Sequence, residues 1–272
     1  SHSLAHGAVQ KLIEVHGAEP ESVDLLVVVT QNPDYRIPNV APLLQESIGF
    51  REGIAAFDIN LGCSGFVYAL AVVKGLMVTN AFRRTIIVTS DPYSKIMAEN
   101  DRATVPLFGD AAAAILVETS EKSCVGNFDF GTQGSGAEAL IVKQGGSRHP
   151  QIDPNSSESC LYMDGRAIYN FMMKTVPASV ERCLAANNLH QQDVDFYVFH
   201  QASKYMVESL RKRLSIPEGK MPVSIERTGN TVSSSIPIVL HDLLQDPANR
   251  GKKAVICGFG VGLSWATGYI IL

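Results

Sequence analysis

Residues 23–31 read VDLLVVVTQ and residues 194–202 read VDFYVFHQA. Each is a short, almost wholly apolar run, as expected for a strand buried on both faces. A second pair lies further along, RRTIIVTS at 83–90 and KKAVICGF at 252–259. A third sets Gly62-Cys63 opposite Gly229-Asn230. The members of each pair stand roughly 170 residues apart and in the same order, which marks a duplicated unit. Outward from these anchors, strands are expected at 24–30, 54–59, 85–90, 111–117, 194–199, 222–226, 253–258 and 265–271. Helices are expected at 3–16, 39–48, 64–79, 165–187, 203–214 and 232–245, the fourth kinked at Pro177. Strands alternating with helices predict an α/β protein whose mixed, mostly parallel sheets are covered by helices on both faces. The Gly/Ser/Pro-rich stretch 119–160 carries the link between the repeats. The division is therefore a first half over 1–120, a connecting segment over 121–160 and a second half over 161–272.

Apolar residues make up 46% of the 272 residues and charged ones 18%, an ordinary globular composition large enough for a substantial core. A net charge of −4 offers no basic excess for nucleic acid, and no apolar run reaches the length of a membrane span. The five cysteines are scattered, with no CxxC and no Cys/His cluster at metal spacing. Neither disulfides nor zinc are expected, and a reducing, cytoplasmic compartment fits best. The N-terminal residues show an amphipathic helix pattern (Leu4, Ala8, Val9, Leu12, Ile13) ended by Gly17, not a signal peptide. The chain opens inside that pattern without a Met, so residues upstream are expected.

The chemistry centres on FDINLGCSGFVYAL, residues 57–70. A strand ends near Asn60, a Gly62-Cys63-Ser64-Gly65 turn follows, and a helical run begins. That puts a thiol at a helix N-terminus, where free N–H groups and the helix dipole favour thiolate over thiol. By position alone Cys63 also reads as a small buried hydrophobe. Two further polar residues occupy matched places in the second half. His200 ends the strand DFYVFH, and Asn230 ends VSIERTGN just before another helix. Each alone has a structural explanation, as a hydrogen-bonded strand-end imidazole or a Gly-Asn turn. In a duplicated chain, loops at the C-terminal strand ends of both halves meet, which is where α/β folds place ligands.

Four motifs in order, GCSGF, FHQAS, GNTVSSSIP and GFGVGLSW, resemble β-ketoacyl-acyl-carrier-protein synthase III, of the thiolase superfamily. The resemblance runs from about residue 3 to Leu272. It implies a thiolase-like five-layered αβαβα fold, a homodimer, and decarboxylative Claisen condensation. Cys63 would take an acyl group from a coenzyme A thioester, and the carbanion from malonyl-acyl carrier protein would attack it. No permanently bound cofactor is implied. A soft sulfur nucleophile suits thioester exchange and leaves a thioester reactive toward carbon. Loss of carbon dioxide generates the enolate, so the site needs donors, which His200 and Asn230 supply. An Asp in place of Asn230 would repel the developing charge. By resemblance the oxyanion hole is built from the backbone N–H groups of Cys63 and of Val261, where many relatives carry Gly.

The resemblance also assigns outer positions. Arg102 matches an arginine that stacks on the adenine of coenzyme A. Leu107, Met163, Tyr169 and Phe259 match the acyl pocket. Ile37 matches a residue, often a bulky aromatic, that enters the partner subunit's pocket. Ser203 replaces an asparagine that bonds the pantetheine arm. Lys204, Arg211 and Lys212, on the helix SKYMVESLRKRL, would help dock the acidic carrier protein. The family's first strand, and the Trp and Arg that grip coenzyme A, have no counterpart in this chain.

Four rival readings remain open at this point. A papain-like protease shares the order Cys, His, Asn but has a different sequence around its nucleophile. A non-decarboxylating thiolase would use a second cysteine near the last Gly-rich loop, where Cys257 stands; the resemblance aligns Phe259 with that base instead. A type III polyketide synthase shares Cys, His and Asn and extends from malonyl-coenzyme A. An inactive partner subunit of a condensing heterodimer would ordinarily lose one of the three.

Overall fold

The computed structural model describes residues 1–272. Strand β1 (Leu25–Val29) is buried at all five positions because both of its faces are covered. Leu25, Val27 and Val29 point into one apolar cluster, and Leu26 and Val28 into another. Parallel neighbours β2 (Ala55–Ile59) and β3 (Arg84–Asp91) flank it, and β4 (Ala111–Glu118) closes the sheet antiparallel to β3, in the order β2-β1-β3-β4. The second sheet starts with β5 (Val125–Thr132). After a small hairpin-like pair, β6 (Leu140–Ile141) with β7 (Tyr162–Met163), come β8 (Phe196–Phe199), β9 (Lys253–Gly260) and β10 (Ser264–Ile271). Its order is β5-β10-β9-β8, with β8 and β9 parallel and β10 antiparallel to both of its neighbours. In each sheet three strands run one way and one runs against them.

Helices α1 (His2–His16) and α2 (Val40–Ile48) cover the outer face of the first sheet. Asp58 on β2 anchors α2 by accepting the N–H groups of Val40 at 2.7 Å and Ala41 at 2.8 Å, which satisfies donors that a helix start leaves free. Helix α3 (Gly65–Val78) touches both sheets and is therefore apolar nearly all round. Phe66, Val67, Leu70 and Val73 are buried there, and each such side chain stabilises the fold by roughly 1.5–3 kcal/mol relative to exposure. Helices α4 (Gly165–Ala186) and α5 (Lys204–Arg213) cover the outer face of the second sheet. The single turn α6 (Ile225–Thr228) follows, and α7 (Ser235–Leu244) joins α3 between the sheets. The result is the five-layered αβαβα arrangement, with the repeat pairing β1 with β8, β3 with β9 and β4 with β10.

Two expectations are corrected. Residues 222–226 form no strand. Ser224 gives its N–H to the Gln201 side chain at 3.1 Å instead of to a ladder, and the chain turns through α6. The stretch 119–160 is not only a link, since β5 lies within it and belongs to the second sheet. Helix α4 runs through Pro177 as one element.

Candidate active site

Cys63 sits in the turn between β2 and α3, packed tightly against β9 of the second half. Gly258 and Gly260 on β9 allow that approach. A Cβ at Gly258 would fall 2.5 Å from the Cys63 carbonyl oxygen, and one at Gly260 would fall 2.9 Å from the Cys63 sulfur. His200 follows β8, and its N–H donates to the Cys257 carbonyl at 2.8 Å, which fixes it beside β9. Asn230 is pinned from both sides by the first half. Its N–H donates to Leu107 O at 2.7 Å, and its carbonyl accepts from Gly109 N–H at 3.0 Å. Asn230 Oδ1 accepts from Val232 N–H at 2.9 Å, so the amide's NH2 is left free to donate. Cys63, His200 and Asn230 line one largely apolar cavity of about 500 Å³, as Leu107, Met163, Tyr169, Ser203 and Phe259 also do.

Burial dominates the electrostatics. The Cys63 thiol is pushed up to about 12, first by desolvation and then by the neighbouring Asp91 carboxylate. The backbone N–H groups of Cys63 and Val261 pull it the other way. The expectation of a resting thiolate is therefore corrected, because the helix start does not outweigh the dry, acidic surroundings. His200 is pushed down to about 3 by burial, so it is neutral at pH 7. Its ring meets Phe259 edge-on, with centroids 5.5 Å apart. Asp91 is itself raised to about 6 by burial, although Gln31 N–H donates to it at 2.8 Å and the Ser233 hydroxyl also donates to it.

Comparisons with known proteins agree with this geometry. The family model described as 3-oxoacyl-[acyl-carrier-protein] synthase III matches residues 57–134, and its C-terminal companion matches residues 184–271. A β-ketoacyl-[acyl-carrier-protein] synthase III of Bacillus anthracis is 36% identical over 96% of this chain and 80% of its own length. One from Lactococcus lactis subsp. cremoris is 32% identical over 99% of this chain and 84% of its own length. The chain belongs to the β-ketoacyl-acyl-carrier-protein synthase III family. A crystal structure of a 3-oxoacyl-(acyl-carrier-protein) synthase III superposes with a TM-score of 0.95 at 38% identity, covering 99% of this chain and 84% of that one. The Thermus thermophilus β-ketoacyl-[acyl carrier protein] synthase III superposes with a TM-score of 0.91 at 31% identity, covering 100% of this chain and 84% of that one. The protein is accordingly an acyltransferase of the condensing type. Its reaction is the family's, condensation of an acyl-coenzyme A with malonyl-acyl carrier protein in fatty-acid biosynthesis.

The remaining expected positions divide. Ser203 lines the cavity, but its hydroxyl also caps α5 by accepting Met206 N–H at 3.2 Å. Arg102 is exposed on a loop outside the cavity lining, and Ile37 is 87% exposed and does not line the cavity either. Lys204 is paired with Glu226. Arg211 is half-buried and paired with Glu208 at 3.0 Å, so it does not lie on an exposed face. Lys212 is exposed and unpaired. Cys257 is buried in β9, where its sulfur accepts from the Thr267 hydroxyl at 3.2 Å. It does not line the cavity, whereas Phe259 does. Sequence reasoning missed Tyr93, Phe108, Arg166 and Tyr205 in the cavity wall, and the buried Asp91 beside it. The stacked pairs Tyr93–Phe108 and Tyr169–Tyr205 join residues distant in sequence, so no local pattern flags them.

Proposed function

We propose that Cys63 carries the acyl group, and that His200 and Asn230 hold the enolate oxygen during decarboxylation. The reading rests on one observation: the three side chains share a single apolar cavity. The Cys63 sulfur attacks the thioester carbonyl, and the oxyanion is held by the N–H groups of Cys63 and Val261. Coenzyme A leaves, and the proton lost by Cys63 ends on the departing sulfur, so the exchange needs no net acid or base. The malonyl thioester then enters and loses carbon dioxide. The electron pair of the broken C–C bond becomes an enolate, whose carbon attacks the acyl carbonyl and expels the Cys63 sulfur as a thiolate, which takes one proton from solvent to restore the thiol. The apolar wall strengthens each donor by excluding water.

Outer assignments follow the same reading. Met163, Tyr169, Leu107 and Phe259 enclose the acyl chain. Ser203 and Arg102 receive the coenzyme A or pantetheine arm. The carrier protein docks near α5, with Lys212 as its free cation. The protein works as a homodimer in the cytoplasm: β2 has a strand neighbour on one side only, and the exposed Ile37 reaches a second copy's cavity. Incubation with acyl-coenzyme A and malonyl-acyl carrier protein should give a β-ketoacyl-carrier product. Product formation equally well with malonyl-coenzyme A as extender would instead favour the polyketide-synthase type, and light scattering at monomer mass would refute the dimer.

A further inference from the structure

His200 can serve as an enolate donor only through a ring N–H, and a neutral imidazole has just one. Because burial keeps this ring uncharged, the tautomer decides whether the nitrogen facing the substrate donates or accepts. The other nitrogen, Nδ1, lies 2.7 Å from the hydroxyl oxygen of Ser235, the first residue of α7. Both residues are almost fully buried, so no bulk water competes at Nδ1. Two groups around Nδ1 favour opposite outcomes. The Val232 carbonyl lies near the ring without a formed hydrogen bond to it, and a proton drawn toward it at Nδ1 would leave Nε2 as an acceptor. The Ser235 hydroxyl can donate to Nδ1, which forces the proton onto Nε2. The same hydroxyl also stands 3.0 Å from the Val232 carbonyl, so it has one hydrogen and two possible acceptors. Gln201 N–H approaches the Ser235 oxygen at 3.4 Å and occupies one of its lone pairs. The second lone pair stays open, so the choice falls to distance: Nδ1 at 2.7 Å is the closer of the hydroxyl's two acceptors, which favours its hydrogen on the ring nitrogen.

We infer that Ser235 is a positioning residue that donates its hydroxyl hydrogen to His200 Nδ1 and thereby holds His200 as the Nε2–H tautomer, ready to donate to the enolate oxygen. Ser235 touches neither substrate nor sulfur; it acts through the ring. Asn230 is prepared in the same way by its own neighbour, because Val232 N–H occupies Oδ1 and leaves the NH2 free. One short segment after Asn230 thus sets the donor polarity of both groups. The inference rests on the condensing mechanism proposed above.

Nitrogen-15 histidine labelling tests it without substrate. Long-range proton–nitrogen correlation of the wild type should show His200 protonated at Nε2 and bare at Nδ1, its signals identified by their loss in His200→Gln. Ser235→Ala should shift the ring toward Nδ1–H, and malonyl-thioester decarboxylation should fall about 10²-fold, the usual effect of losing one such donor. Cys63 acylation, followed by intact mass, should change only a few-fold, and Ser235→Thr should restore decarboxylation. A wild-type ring protonated at Nδ1 would overturn the inference, whether or not Ser235→Ala folds. Equal losses of acylation and decarboxylation in a folded Ser235→Ala would also overturn it. Failure of the wild type to acylate Cys63 would count against the condensing mechanism and leave the tautomer result standing.

Discussion

The two halves of the molecule share one architecture and, in the proposed mechanism, take opposite chemical roles. The first half supplies the sulfur, at the turn after β2. The second supplies the imidazole and the carboxamide, after β8 and after α6. At equivalent places in the repeat stand Gly62-Cys63 and Gly229-Asn230, one ending in the proposed nucleophile and the other in the proposed donor. The sheets differ too. The second sheet has β5 beyond β10, whereas β4, the counterpart of β10, has a strand neighbour on one side only. The first sheet has β2 beyond β1, whereas the second has the turn α6 in the matching stretch. That turn carries Asn230 into contact with Phe108 of the first half, a bridge that a regular strand at 222–226 would not make in the same way. Duplication therefore fixes where functional loops meet, and the departures from it decide what each loop offers.

The largest effect should come from blunting the second half's donors. Asn230→Asp replaces two donors with a carboxylate facing an enolate, so malonyl-thioester decarboxylation should fall by about 10²–10³, with Cys63 acylation largely kept. Loss of both half-reactions together would dissolve the division of labour. Next is the protonation of the first half's sulfur. With the thiol near 12, it is protonated at neutral pH, and alkylation of Cys63 by iodoacetamide should rise about tenfold per pH unit across pH 7–9 without a plateau. Asp91→Asn removes a charge that helps hold the thiol up, so that profile should move to lower pH. A plateau below pH 7 in the wild type would mean a resting thiolate after all.

The contact between halves gives a smaller, structural effect. Gly258→Ala drives a methyl against the Cys63 backbone and should destabilise the fold by about 1–3 kcal/mol, read from the denaturant midpoint. Unchanged stability with normal acylation would show that the halves can separate there freely. The smallest effect belongs to the surface. Lys212→Glu should raise the KM for the carrier protein a few-fold at low salt and leave kcat unchanged, while Lys204→Ala, already paired with Glu226, should do less.

Much of this was legible in the sequence because it is local or repeated. The runs 23–31 and 194–202 carry their burial in their composition, and GCSGF announces a turn into a helix. Strand β5 was hidden because VGNFDFGT is half-exposed at most positions and mixes Gly, Asn and Asp with two Phe. Residues 222–226 misled for the reverse reason, since the repeat promises a strand and a side chain distant in sequence, Gln201, takes the ladder donor. The protonation state of Cys63 was beyond sequence reasoning as well. It depends on Asp91, 28 residues downstream in the chain, and on the dryness of a cavity that only folding creates.

The central claim is that Cys63 becomes acylated by a coenzyme A thioester. Intact-protein mass after incubation with a panel of acyl-coenzyme A thioesters reads it directly. The account predicts a gain of one acyl group with at least one thioester, absent in Cys63→Ala. No gain with any thioester, or a gain that persists in Cys63→Ala, would contradict it.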